Sequence, residues 1–254
     1  MMLRIKIFPY FLSLLLLSCD PVTYEIKPHY SSYFPVHEHD SAEFYVSEIQ
    51  HTSLGSDTLQ YFLKEVTKNP YIDGEGDIAF QLHRYWKPDS TEHYQIKDVW
   101  SIKKTVSSVE KVEENIRFVK MIFPLDEFSY WDGNLFNQLG EQEYAVNQIH
   151  IPYNMFGLTL DSVVEITHEF NANLLEYDNA MEIYAIHKGL IYKEEINLNI
   201  NNGNVLDINY GTRATQRRGA QRDGARRCRH RSGQHHARWR RACRDTRLPP
   251  SGDE

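Results

Sequence analysis

Four consecutive residues, His37, Glu38, His39 and Asp40, have the side-chain types that bind metal ions. In an extended chain the two imidazoles point to the same side and are able to chelate one ion. The surrounding sequence is rich in Pro, Ser and Tyr and has no sustained period, which is typical of a linker. We interpret the tetrapeptide as a solvated part of that linker, with a metal site at His37 and His39 as the alternative.

The stretch "DGEGD" places Asp73, Glu75 and Asp77 at the first three oxygen positions of a calcium-binding loop. The twelfth position of such a loop is normally Glu, but here it is Arg84, which lies in a predicted strand. We therefore predict a glycine-rich hairpin loop with solvated acidic residues.

Two pairs of neighbouring glutamates, Glu113-Glu114 and Glu194-Glu195, lie in predicted strands. Strand neighbours point to opposite faces, so neither pair supplies a general acid and base to one cleft. Glu194 and Arg84 each fall on a mostly apolar face. Our hypothesis is that both point inward and pair with each other or line a polar spot in a cavity; the alternative places both at the rim of the sheet.

Aromatic residues in "RYW" and "YWDGNLF" predict a wall for an apolar ligand. The candidate residues are Tyr85, Trp86, Trp100, Tyr130 and Trp131; packing in a core is the alternative. The body of the chain has no G-x-S-x-G, no phosphate-binding loop and no cysteine nucleophile. We therefore expect no catalytic residue, no cofactor and no enzymatic activity.

The most basic stretch is "RRCRHRSGQHHARWRRAC" (226–243), within a tail that differs in composition from the rest. Residues 214–254 contain 12 arginines and four acidic residues, a net charge of +8, whereas residues 1–213 have a net charge of −15. The tail contains no Ile, Asn, Lys, Tyr, Phe, Val or Met. We interpret residues 213–254 as an Arg-rich, disordered product of a frameshift or a joining artefact, with a disordered basic tail of the natural protein as the alternative. Because the body is acidic, we expect no nucleic-acid partner.

The chain begins "MMLRIKIFPYFLSLLLLSCD", with Arg4 and Lys6 before an apolar run of about eleven residues that is typical of a signal peptide. The following Leu16-Leu17-Ser18-Cys19 resembles the lipobox of bacterial lipoproteins, which implies cleavage before Cys19 and its acylation. Acyl chains on Cys19 would anchor the protein to a lipid bilayer.

From about residue 43 the sequence alternates apolar and polar residues with the period of β-strands. The clearest strands are 78–86, 158–170 and 190–200, and further strands are predicted at 43–50, 58–66, 93–106, 109–123, 142–151 and 180–187. Asp-Gly and Asn-Gly pairs between the runs favour hairpins. We predict an antiparallel meander that forms a barrel, half-barrel or sandwich, with a short helix in "GNLFNQLGEQ" (133–142).

At "VEENIRFVKMIFPL", "YWDGNLFNQLGEQEY" and "KGLIYKE" the chain resembles uncharacterised lipoproteins of the Bacteroidota, over roughly residues 1–212. That group implies no activity for any residue. The predicted organisation is a signal peptide (1–18), an acylated Cys19 with a tether (19–42), a β-domain (43–212) and the tail (213–254). Aromatic residues of the tether are able to dock on the domain edge.

We expect a non-enzymatic lipoprotein of the cell envelope, with the outer membrane favoured over the inner. Its β-domain is expected to bind a small or hydrophobic ligand, which requires an apolar cavity. A structural protein that docks on an envelope partner is the first alternative, and it predicts a filled core with an exposed apolar patch. A hydrolase is the second, and it requires a cleft where histidine and carboxylate groups converge.

Overall fold

The structure, a computed structural model, describes residues 30–155 and 157–219 and is almost entirely antiparallel β. A single 3-10 turn, Ser31–Tyr33, precedes the strands. The strands are β1 (Ser41–Thr52), β2 (Gly55–Ile72), β3 (Ile78–Lys87), β4 (Gln95–Lys104), β5 (Ser108–Glu113), β6 (Ile116–Ile122), β7 (Tyr130–Asp132), β8 (Glu143–Met155), β9 (Leu158–Ala172), β10 (Glu176–Ala185), β11 (Gly189–Asn201) and β12 (Asn204–Arg218).

The twelve strands form one sheet that curves into a nearly closed barrel. Their order is β6-β5-β4-β3-β2-β1-β12-β11-β10-β9-β8-β7, so β1 and β12 pair in the middle and β6 and β7 are the edges. The edges meet where Val119 N donates to the carbonyl oxygen of Gly133 at 2.9 Å. In the same seam Trp131 Nε1 donates to the carbonyl oxygen of Val119. The predicted antiparallel β fold is confirmed.

Because consecutive strands are antiparallel, the connections alternate between two ends of the barrel. We call the end where β1 begins and β12 ends the lower end. The residues before β1 pack there: Tyr33 is fully buried and Phe34 is nearly so. The predicted tether therefore docks on the domain along residues 30–40, as its aromatic residues allow.

Two local predictions were wrong. The predicted strand 109–123 is the hairpin β5–β6, because Glu114 and Asn115 both adopt positive φ, as a tight two-residue turn requires. The predicted helix at 133–142 is an irregular loop. Asp132 Oδ1 accepts from the backbone N–H groups of Asn134 and Gln142, and such side-chain bonds compete with a helix.

The last strand continues past residue 213, where the tail was predicted to begin. Residues up to Arg218 pair with β1 on one side and, up to Arg217, with β11 on the other, which satisfies their backbone groups. The largest group of buried apolar side chains joins the N-terminal segment to strands β3–β10, with Leu82, Ile102, Met121, Trp131 and Tyr184 among its members. None of the described residues belongs to a helix long and apolar enough to cross a membrane.

Candidate functional site

The barrel interior contains two cavities, each of about 310 Å³. We call the one behind the N-terminal segment the lower cavity and the other the upper cavity. Apolar residues that line the lower cavity are Phe34, Val36, Phe44, Leu82, Ile102 and Leu190. Its charged lining residues are Lys111, Lys120, Lys188, Lys193 and Arg218 with Asp40, Glu65, Glu113 and Glu182. The volume is at the lower limit for small-molecule sites, about 300–1,000 Å³.

A layer of charged side chains separates the two cavities. Glu113, Lys120 and Lys193 line both of them and therefore form their common wall. They come from β5, β6 and β11, and β11 lies far from the neighbouring strands β5 and β6 in the order of the sheet. The curvature of the sheet brings them together across the interior.

Glu182 is the centre of this layer and is fully buried. Its Oε1 lies 2.9 Å from Lys120 Nζ and 3.9 Å from Lys193 Nζ, and its Oε2 accepts a hydrogen bond from the Tyr184 hydroxyl. Burial opposes ionisation, but the two lysines and His168 outweigh it and hold the pKa of Glu182 well below its usual value. The carboxylate is therefore ionised in the barrel interior.

His168 lies beside Glu182 at the upper cavity. Its ring stacks on Tyr144 with centroids 3.9 Å apart, and its Nε2 lies 3.4 Å from Glu182 Oε2 without hydrogen-bond geometry. Burial lowers the pKa of His168 despite the attraction of Glu182. Histidine and carboxylate do converge here, but the carboxylate is committed to Lys120 and Tyr184, and no serine or cysteine lines the upper cavity.

A second buried ionic group joins β2, β3 and β4 to this layer. Arg84 donates to Glu65 Oε1 at 3.2 Å and to Asp98 Oδ2 at 3.0 Å, and its guanidinium lies over the ring of Trp100. The other carboxylate oxygen of Glu65 faces Lys111 Nζ at 4.0 Å. From Asp98 through Arg84 and Glu65 to Lys111, negative and positive side chains therefore alternate across this part of the interior.

The N-terminal segment closes the lower end. Lys104 Nζ donates to the carbonyl oxygens of Ser31 and Phe34 at 2.6 and 2.8 Å. The hydroxyl of Tyr33 makes hydrogen bonds to His150 Nδ1 and Ser162 Oγ. These contacts hold Phe34 against Tyr184 at the edge of the lower cavity.

The five aromatic residues predicted as a ligand wall lie apart, and none lines either cavity. Tyr85 faces outward and accepts from Lys68, whereas Trp86 packs on the cluster of Phe44 and Leu63. Trp100 lies under Arg84. Tyr130 is exposed, and Trp131 is buried in the seam. Adjacent residues alternate faces, so sequence proximity did not make these aromatics one surface.

The His37–Asp40 tetrapeptide is a turn, since His39 adopts φ 69°. His37 Nδ1 therefore pairs with Asp40 at 3.0 Å, and His39 is nearest to Glu38. Cys19, the predicted lipidation site, lies outside the described residues.

The acidic loop of Asp73, Glu75 and Asp77 gathers its carboxylate oxygens within 4.8 Å of one another. The buried ammonium of Lys103 lies among them, at 2.9, 2.5 and 3.3 Å respectively. The ammonium group of Lys103 therefore reduces the electrostatic repulsion among these three carboxylates.

The proposed pairing of Arg84 with Glu194 was wrong. Glu194 pairs with Arg213 at 2.9 Å on neighbouring strands, whereas Arg84 uses Glu65 and Asp98. The neighbouring glutamates do face opposite ways: Glu195 lines the upper cavity and Glu194 does not.

Sequence reasoning missed the central residues Lys120 and Glu182. Each is the single charge in a short apolar run of its strand, "FVKMI" in β6 and "MEIYA" in β10. A lone charge in such a run is expensive to bury without a partner. The sequence alone could therefore have marked both residues as members of buried ion pairs. The partners themselves were not readable, because they lie on other strands.

Comparison with protein-family models finds no family that matches the chain, and no curated protein matches it.

Proposed function

We propose that this protein is a non-enzymatic, lipid-anchored protein of the cell envelope, whose β-barrel binds a small hydrophobic or amphipathic ligand. The observation that supports ligand binding is the lower cavity, which combines an apolar wall with buried charges. Such a combination of apolar surface and a few polar groups is typical of small-molecule sites. The Leu16–Cys19 pattern supports the anchor, because acyl chains on a terminal cysteine hold a protein on a bilayer.

Ligand binding is tested with a neutral, environment-sensitive dye such as Nile red and the purified full-length protein. Leu190→Trp adds volume where Leu190 lines the lower cavity, and we expect it to reduce dye binding at least about tenfold, since a filled cavity offers no apolar volume. Leu54→Trp, at a fully exposed turn, is the matched control and leaves binding unchanged. Equal binding by both variants, or none by the wild type, contradicts the proposal.

The anchor is tested by feeding labelled palmitate to cells that express the chain. We expect label in the wild type and in Cys228→Ala, which removes another cysteine, and none in Cys19→Ala. The Cys19→Ala protein should also leave the membrane fraction. Labelling of Cys19→Ala would contradict acylation at this residue.

Exposed leucines favour docking on an envelope protein as a second candidate function. Leu54 and Leu174 lie at hairpin turns of the upper end and Leu206 lies near the start of β12; their side chains are 98%, 69% and 88% exposed. Apolar residues that form one exposed patch mark an interaction site. If they bind a partner, the double variant Leu174→Glu/Leu206→Glu should lose cross-linked complexes that the wild type forms in cells.

A further inference from the structure

The lysines of the lower cavity retain hydrogen-bond donors that the protein does not use. The carboxylate oxygens nearest to Lys111 Nζ belong to Glu113 at 3.6 Å and Glu65 at 4.0 Å. Both distances are longer than a hydrogen bond, although the side chain of Lys111 is only 10% exposed. An ammonium group has three donors. Because Lys111 lines the lower cavity, its donors are able to face a ligand there.

Lys120 and Lys193 face the same space from the inner end of the cavity. Each has one close carboxylate partner, Glu182 at 2.9 Å and Glu195 at 2.7 Å respectively. Glu113 lies among all three lysines, and their charges lower its pKa although its burial opposes this. Each ammonium group has three donors and only one close carboxylate partner at most, which leaves donors for another anion.

The charged residues of the lower cavity differ in exposure. Lys188 and Asp40 are exposed and solvated, whereas Lys111 and Lys120 are buried and Lys193 is half-buried. Buried cations need partners. The carboxylate of a ligand would add a partner for these three lysines.

The apolar residues of the cavity wall favour a ligand whose remaining part is hydrophobic. Phe34 and Val36 lie at the lower end, and Leu82 and Ile102 belong to the buried apolar cluster that contains Phe34. Lys120 and Lys193 lie at the inner end, since they also line the upper cavity. The cavity therefore offers apolar surface beside the lysines of its inner end.

We propose that the lower cavity binds a single-chain amphipathic monoanion, such as a medium-length fatty carboxylate. Its head group accepts hydrogen bonds from Lys111 and from the free donors of Lys120 and Lys193, and its chain lies against the apolar wall. This inference rests on the proposed ligand-binding function and names the chemical class of the ligand.

The test compares three ligands of equal chain length, decanoate, 1-decanol and decylammonium, by calorimetric titration of the full-length protein at pH 7.5. We expect decanoate to bind about tenfold or more tightly than decanol, because charge-assisted hydrogen bonds exceed neutral ones in strength. Decylammonium should bind most weakly, since it adds a cation to three lysines. This comparison needs no variant and is independent of any folding defect.

Variants then assign the head-group site. Lys111→Met should weaken decanoate binding about tenfold or more and leave decanol binding unchanged, and Lys111→Arg should retain most of the affinity. Lys64→Met is the matched control: it removes a more exposed cation that does not line the cavity, and it should change decanoate affinity less than about threefold.

The outcomes separate this inference from the proposed function. If decanol binds as tightly as decanoate, or if Lys111→Met weakens both equally, the anion assignment is overturned while ligand binding stands. If no ligand and no neutral dye binds, the proposed function fails, and this inference fails with it.

Discussion

At the scale of single residues, Glu182 determines the character of the interior. It is a fully buried carboxylate with an ammonium, a phenol and an imidazole around it, and its low pKa keeps it ionised. A buried ion pair contributes little relative to apolar packing, but removal of one partner leaves an uncompensated charge. Removal of Glu182 alone should therefore lower the stability of the barrel more than replacement of both partners by apolar residues.

We predict that Glu182→Gln lowers the free energy of unfolding by about 3–5 kcal/mol, because Lys120 stays buried without its counterion. Urea denaturation at pH 7.5 measures this. Glu195→Gln is the control, since Glu195 pairs with Lys193 but is 53% exposed, and it should cost under about 0.5 kcal/mol. Similar losses in the two variants would show that the buried pair has no special role.

His168 predicts a dependence of stability on pH. Its folded pKa is lower than the ordinary value of 6.5, so the unfolded chain binds a proton first as the pH falls. Its contribution to stability is present above pH 6.5 and is lost as the pH falls from 6.5 through the lower folded pKa. His168→Phe keeps the stack on Tyr144, and its unfolding free energy should fall less over that range. Parallel pH curves for the two proteins would contradict the assignment.

At the scale of elements, the seam between β6 and β7 closes the barrel with few bonds. Gly133 supplies a carbonyl oxygen to this seam, and an added Cβ would lie 2.3 Å from the ring of Tyr144. The same ring stacks on His168. Seam geometry and the charged layer are therefore coupled through Tyr144.

We predict that Gly133→Ala destabilises the protein by about 1–3 kcal/mol, because the Tyr144 ring must move in a packed interior. Thermal unfolding followed by circular dichroism measures the change. Gly74→Ala, where an added Cβ contacts nothing within 4 Å, is the matched control and should change stability by under about 0.5 kcal/mol. No difference between the two variants would contradict the tight contact at the seam.

At the scale of the whole molecule, the described chain begins at the lower end of the barrel, where the N-terminal segment lies beside the lower cavity. Cys19 precedes Tyr30 by eleven residues, a length that spans at most about 40 Å. If Cys19 is acylated as proposed, Tyr30 and the N-terminal segment would lie within that distance of the anchor.

We predict that Lys104→Met loosens this segment, because Lys104 donates to two of its carbonyl groups and bonds to charged groups contribute about 1.5–3 kcal/mol each. Hydrogen exchange of residues 30–40 should accelerate at least tenfold while exchange in β9–β11 stays unchanged. Lys64→Met, which removes a more exposed ion pair with Glu43, serves as the control. Unchanged exchange of residues 30–40 in Lys104→Met would contradict the role of this lysine.

Local patterns predicted the strands well and the site poorly. Alternation and turn residues identified the antiparallel meander, because both depend on residues next to one another. In "LIYKEEINLNI", however, the apolar residues do not keep one face along the strand. A register shift beside Leu190 places that residue at the lower cavity, whereas Ile196, Leu198 and Ile200 form a separate cluster. A shift of one residue exchanges the faces of a strand.

The sequence by itself determined an antiparallel β fold, the opposite faces of the paired glutamates and the position of the candidate lipidation site at Cys19. Only the tertiary structure decided that Lys111, Lys120, Glu182 and Lys193 surround one cavity. Strand alternation is a local property that each segment carries alone. The charged interior forms where the curvature of the sheet brings β5 and β6 against β10 and β11. This contact depends on the whole sheet, so the sequence of a single strand does not predict it.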